Sequence, residues 1–331
     1  MVPKQFNTQQ YLIAMLKAYK IKNIIASPGI QNSRFNSMVQ ENSDFRCISV
    51  YDERSAAYTA VGMSYESNSP TVITCTGATS SRNYLPAMTE AYYRKIPVIA
   101  ITFFNPESNK YNFATQFLDR SVSQNDVKYV SVELPIINSE IDKKRCLTYI
   151  NAALYNAKYL NNPVHINCPS ILDFDIDRTE LPKDIWKTNY YKNDFEENLT
   201  NLKNKKIAIF IGAHNKFSEK ETLSISNFAK SWNAPVFCDY VSNYNGDNKV
   251  LTYQVLNTQR FKNKPDLIID IGDLSDNRAL FTGQEVWRIS PNGEFKSRCD
   301  RPVSKTFHCL EKTFFDLLLN NEKPYNNYYQ E

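Results

Sequence analysis

The run Asp52-Glu53-Arg54 sits where an apolar stretch over 47–51 gives way to the alanine-lined sequence Ser55-Ala56-Ala57. The apolar stretch predicts a buried strand and the alanines a helix, so Glu53 falls at the carboxyl end of a strand, where a helix begins. Open α/β sheets take their ligands in the crevice outside such strand ends. A carboxylate held there among apolar neighbours can serve as an acid or base, because desolvation and nearby groups set its proton affinity. The competing reading is a helix-start acid favoured by the macrodipole and nothing more.

Neighbouring turns bear on that choice. With strands over 23–27, 47–51, 71–75 and 98–103, the residues at their ends are Ser27-Pro28-Gly29, Asp52-Glu53-Arg54, Thr76-Gly77-Ala78-Thr79 and Phe104-Asn105-Pro106. In a parallel sheet all four turns gather on one edge. Gly29 and Gly77 let backbone approach a ligand closely. Ser80 or Ser81 can cap the following helix and leave amide N–H groups for a polar or anionic group. Each glycine alone reads as an ordinary turn; four turns around one carboxylate read as a site.

The elements that must position these residues alternate short apolar runs with amphipathic stretches, the pattern of a doubly wound parallel sheet. Further strands are expected over 130–133 and 164–168, with helices over 8–19, 54–67, 81–94 and 140–159. Asn7 or Thr8 opens the first helix as its N-cap. A polar, charged stretch over 176–204 containing Pro182 is expected as a linker, separating a first domain (1–175) from a second Rossmann-like domain (205–331). That second domain is expected to hold strands at 207–211, 236–240, 267–271 and 286–289, helices at 218–232 and 306–319, and a polar tail from 320. The fold class is therefore α/β, with two doubly wound parallel-sheet domains.

Other chemistry finds little support. Net charge is +4 with no basic block, which argues against nucleic acid. The seven cysteines form no C-x-x-C pair, and Cys75 and Cys168 lie in apolar flanks that suit packed thiols in a reducing compartment. His165, His214 and His308 are scattered, and His165 reads as a core histidine. Without a signal-peptide core or a membrane-length apolar run, a cytoplasmic protein is expected.

Ser27-Pro28-Gly29, Tyr51-Asp52-Glu53-Arg54-Ser55-Ala56-Ala57, Thr76-Gly77-Ala78-Thr79 with Asn83-Tyr84-Leu85-Pro86-Ala87, and Pro163-Val164-His165-Ile166-Asn167-Cys168-Pro169 together resemble the thiamine-diphosphate enzymes. The similarity in order and spacing is to the menaquinone-pathway 2-succinyl-5-enolpyruvyl-6-hydroxy-3-cyclohexene-1-carboxylate synthases, and it covers the first 175 residues; 205–331 is more loosely similar to that family's central domain. The resemblance implies a pyrimidine-binding first domain. Glu53 would be the catalytic residue, hydrogen-bonding N1′ of the cofactor's aminopyrimidine and favouring its imino tautomer, while Pro28, Gly29, Thr76, Gly77 and Asn83 line the cofactor. The carbanion chemistry belongs to the cofactor.

Departures qualify what the resemblance implies. The family's Ser-Arg after Pro-Gly is Ile30-Gln31 here, and a second arginine is replaced by Asn105. Gln31, Asn105 and Gln116 are thus the expected substrate-side residues, with Arg34 the candidate to compensate for the lost guanidinium groups. Each lost charge-assisted contact is worth about 1.5–3 kcal/mol. Gly272-Asp273-Leu274 lacks the family's second glycine and reads as a turn, so no metal ligand is assigned and the diphosphate-binding domain is expected to be absent. Mg²⁺ and diphosphate would then be held by a partner, in a homodimer or a hetero-oligomer with a diphosphate-binding subunit. The expected function is the N-terminal part of a thiamine-diphosphate-dependent transferase or lyase that forms C–C bonds or decarboxylates a small 2-oxoacid. The alternative is a non-catalytic binding or regulatory subunit.

Overall fold

In the computed structural model, Asn7 opens the first helix, α1 (Thr8–Ala18), with a capping box: its side chain accepts the N–H of Gln10, and the Gln10 carboxamide oxygen accepts the N–H of Asn7 at 3.0 Å. The residues described are 6–108, 111, 124–170, 180–192, 199, 202, 205–252, 264–273, 285–295 and 302–321. The chain divides into two units, Met1–Lys187 and Thr188–Glu331.

In the first unit α1 is followed by β1 (Asn23–Ala26), α2 (Ser33–Gln40), β2 (Arg46–Ser49), α3 (Glu53–Ser67), β3 (Thr71–Thr76), α4 (Ala78–Asn83) and α5 (Leu85–Arg94). Then come β4 (Val98–Phe104), β5 (Val130–Glu133), α6 (Glu140–Leu160) and β6 (Val164–Pro169). The strands form one parallel sheet in the order β2-β1-β3-β4-β6-β5. β3 and β4 are buried almost throughout, and their β-branched and apolar residues, with threonines among them, suit strands covered on both faces. Ala56, Ala57 and Ala60 of α3 pack on Ile25, Ile73 and Cys75, their small side chains bringing the helix close to the strands.

The helix expected over 81–94 is two helices. Pro86 stands in the first turn of α5, where its missing N–H costs nothing; within one continuous helix it would remove a hydrogen bond and clash with the preceding turn.

The second unit contains β7 (Asn189–Tyr191), β8 (Ile207–Ile211), α7 (Glu219–Ser231), β9 (Val236–Cys238), β10 (Lys249–Leu251), β11 (Leu267–Ile271), β12 (Glu285–Ile289), β13 (Lys305–Phe307) and α8 (Glu311–Asn321). Its parallel sheet runs β10-β9-β8-β11-β12-β13-β7. Both units are doubly wound α/β layers.

Two expectations need correction. The stretch taken as linker, 176–204, supplies strand β7, which pairs with β13. The helix expected from residue 306 begins later, because Thr306 and Phe307 belong to β13 and Phe307 packs fully buried against the rings of Tyr191, Trp287 and Phe314. Leu274 and the tail from 322 lie outside the described residues. No helix among the described residues is long and apolar enough to cross a membrane.

Candidate functional site

From β1 the chain steps outward to β2, whereas β3, β4 and β6 extend the sheet on the other side of β1. The divergence opens a crevice at the carboxyl ends of β1 and β3. Two buried amide side chains hold the turns around it. Asn32, fully buried, accepts the Gly29 N–H at 2.9 Å and donates to the Ser27 carbonyl at 3.0 Å and to Thr74 Oγ1 at 3.2 Å. Gln31 accepts the Gly77 N–H through Oε1 at 3.2 Å, and its carbonyl accepts the Ser170 hydroxyl at 3.0 Å.

Both glycines are required by space. A Cβ on Gly29 would run into the Thr76 methyl group, and one on Gly77 would lie 2.6 Å from the Phe103 carbonyl oxygen.

Glu53 is the first residue of α3. The cap itself is Asp52, which accepts the Ser55 N–H at 2.8 Å; its hydrogen bonds with Ser55 hold its carboxyl below the usual range. The helix-start role is therefore filled by Asp52. Glu53 is half-buried, and among the described residues no hydrogen bond or ion pair engages its carboxylate. Near it lies Tyr84, whose buried hydroxyl stands against Cys75 and Ser27. Burial first, then Cys75 and the Glu53 charge, push the Tyr84 hydroxyl's pKa well above its ordinary value.

The other expected residues are placed unevenly. Pro28 is exposed at the rim, Thr76 is half-buried with its hydroxyl donating to Ser80 Oγ at 3.0 Å, and Asn83 is half-buried at the end of α4. Asn105 is exposed and accepts the Glu107 N–H within its own turn. Gln116 lies outside the described residues. Gln31, expected to face substrate, is only 8% exposed and braces one turn against another by accepting the Gly77 N–H. Arg34 is 3% exposed within α2 and does not stand at the surface as a replacement clamp. Asn32 was not singled out from the sequence; an asparagine shortly after Ser-Pro-Gly is a turn signal that could have found it.

Away from the crevice, His165 has both ring nitrogens engaged, Nε2 with Thr102 Oγ1 at 2.8 Å and Nδ1 with Ser131 Oγ at 3.0 Å. Cys75 and Cys168 are buried, and burial pushes the Cys168 thiol pKa well up. Such thiols are poor nucleophiles.

Residues 6–130 match the family described as thiamine pyrophosphate enzyme, N-terminal TPP binding domain. Relatives named 2-succinyl-5-enolpyruvyl-6-hydroxy-3-cyclohexene-1-carboxylate synthase include one from Bacteroides fragilis, 27% identical over 340 residues, covering 95% of this chain and 60% of its own. Another, from Bacteroides thetaiotaomicron, is 36% identical over 160 residues, covering 48% of this chain and 29% of its own. The chain thus spans 60% or less of the length of these curated relatives. A looser likeness, with TM-score 0.42 and 15% identity over 98% of this chain and 62% of the other, is to benzoylformate decarboxylase from Polynucleobacter necessarius, too distant to bear on function. The TPP-domain assignment falls on the unit whose strand ends carry Glu53.

Proposed function

We propose that the crevice of the first unit takes the aminopyrimidine ring of thiamine diphosphate, with Glu53 hydrogen-bonding a ring nitrogen. The observation that carries this reading is the Glu53 carboxylate, half-buried beside a strand-end crevice and left unengaged while Asp52 does the capping. A carboxyl group sharing a proton with a buried ring nitrogen relieves the desolvation cost of both. Gly29 and Gly77, where a Cβ would collide with the adjoining turn, keep the walls narrow enough for a flat ring, and Pro28, Thr76 and Asn83 border it. The cofactor supplies the carbanion chemistry when bound. The protein's part is to orient the ring and to hold a proton at one nitrogen.

On this reading the chain serves a thiamine-diphosphate enzyme similar to the synthases above, acting on a small 2-oxoacid, with Asn105 and Gln116 toward substrate. Diphosphate and Mg²⁺ fall to a diphosphate-binding domain in the same or a partner polypeptide, and the assembly is a homodimer or hetero-oligomer. A second reading, a non-catalytic binding subunit, is favoured by one observation: Gln31, in place of an arginine of the resembled family, turns into the fold.

The two are separated by proton exchange at the cofactor's C2, followed by NMR in the presence of the complementing diphosphate-binding protein. Glu53→Gln is expected to slow exchange strongly while thiamine diphosphate still binds. Undiminished exchange refutes the role of Glu53, and absence of exchange in the unsubstituted mixture, with cofactor bound, establishes the binding subunit.

A further inference from the structure

The second unit contains a cavity of about 610 Å³ at the carboxyl ends of β8, β11 and β12. It lies where this sheet also diverges, β9 and β10 extending from one side of β8 and β11, β12 and β13 from the other. Backbone bonds staple its walls. The Asp273 N–H donates to the Ala213 carbonyl at 2.7 Å, the Gly212 N–H to Ile271 at 3.0 Å, and the His214 N–H to Val241 at 3.2 Å. Gly272, at φ +73° and with no room for a Cβ beside the Ala213 carbonyl, permits the closest of these approaches. The cavity is preformed and of a size that suits a small organic ligand.

Its chemistry narrows the ligand. A phosphate at such a crevice needs the open amides of the following helix. Here α7 is closed by a capping box, Ser218 Oγ accepting the Glu221 N–H at 3.3 Å and the Glu221 carboxylate accepting the Ser218 N–H at 2.8 Å; Glu219 adds a second negative charge. The walls carry the carboxylates of Asp273, Glu294 and Glu311 against Arg288 and His214, with Asp270 behind. This field repels anions. An ammonium ligand would answer the carboxylates but not Arg288, whose Nη1 and Nη2 donate to Asp270 and Asp273 at 3.1 and 3.4 Å while its buried Nε–H has no acceptor among the described residues. A hydroxyl group both donates and accepts, and so answers both.

We propose that this cavity binds a neutral, phosphate-free polyhydroxylated ligand, a sugar or a nucleoside, through a vicinal diol set between the Glu294 and Glu311 carboxylates and Arg288. Val241, exposed at the rim, offers apolar surface to its C–H face. Saturation-transfer NMR on the 331-residue chain, with ribose, adenosine, ADP, NAD and spermidine as probes, tests it. Adenosine or ribose is expected to bind saturably, with ADP, NAD and spermidine about tenfold weaker or worse, and Glu311→Gln is expected to weaken the diol about tenfold. Glu294→Gln, at an exposed position, serves as a second variant should the buried substitution disturb folding. The comparison of ribose with adenosine separates a sugar from a nucleoside. Binding of ADP or spermidine as tightly as adenosine, absence of saturable diol binding, or undiminished binding by Glu294→Gln overturns the proposal.

Discussion

Replacing Asn32 by alanine should loosen the turns that frame the Glu53 crevice. The side chain is fully buried and makes three hydrogen bonds, to the Gly29 N–H, the Ser27 carbonyl and Thr74 Oγ1. At about 0.5–1.5 kcal/mol net for each bond, and more where a buried partner is left unpaired, the loss is about 2–4 kcal/mol. For a unit the size of Met1–Lys187, each kcal/mol lowers the melting temperature by about 2–4 °C, so calorimetry should record a drop of about 4–16 °C. Asn32→Asp sharpens the test. It keeps an acceptor for the Gly29 N–H but sets a buried carboxylate against the Ser27 carbonyl, which raises its folded-state pKa above the unfolded value. The ionised form is thus penalised, and this variant should regain stability as pH falls through the raised pKa, whereas Asn32→Ala gains nothing by the same route. A drop in Asn32→Ala of less than a degree, or equal pH profiles for the two variants, would show that the amide does not hold these turns.

Gly77→Ala forces a Cβ within 2.6 Å of the Phe103 carbonyl and should cost about 1–3 kcal/mol, read by urea unfolding. Gly62→Ala, on the exposed side of α3 with nothing within 4 Å of the new Cβ, should stabilise by about 0.5–1 kcal/mol and serves as its control. Arg288→Met strands Asp270, whose side chain is 3% exposed, without its buried cation; the expected loss is about 3–5 kcal/mol, and Asp270→Asn combined with it should recover part. His214 predicts a pH dependence. Burial opposes its charge, but hydrogen bonds to Glu311 and the Asn215 carbonyl, helped by the charges of Glu311 and Glu221, raise its pKa above 6.5. Because the folded-state value is the higher one, its contribution is complete below the ordinary value and is lost as pH rises through the raised one. Melting temperatures across neutral pH should therefore fall more for the unsubstituted chain than for His214→Gln.

How far residues announce their own positions depends on whether burial writes a period into the chain. β3, β4, β8 and β11 are covered on both faces, and each reads as a run dominated by β-branched and apolar residues. β7 and β13 are three residues long and lie at or beside a sheet edge, too short for any period, so one was taken for linker and the other for the start of a helix. At the crevice, Glu53 was legible through its context: strand before, alanines after. The inward turn of Gln31 was not, because neither its type nor its spacing states which neighbour will offer it an N–H.

The capping of the helices explains how the carboxylate of Glu53 is left without a local duty. In α1, α6 and α7 a side chain in the third helical position, Gln10, Asp142 or Glu221, reaches back to backbone at or just before the cap and is consumed there. In α3 that third position is Ser55, and the acid stands at the first, from which it cannot fold back onto its own cap. Asp52 then closes the helix alone, and the carboxylate of Glu53 is kept at the positive end of α3 with no local duty. Two adjacent acids thus divide the work by position: the one at the cap maintains the helix, and the one after it remains available to a ligand in the crevice.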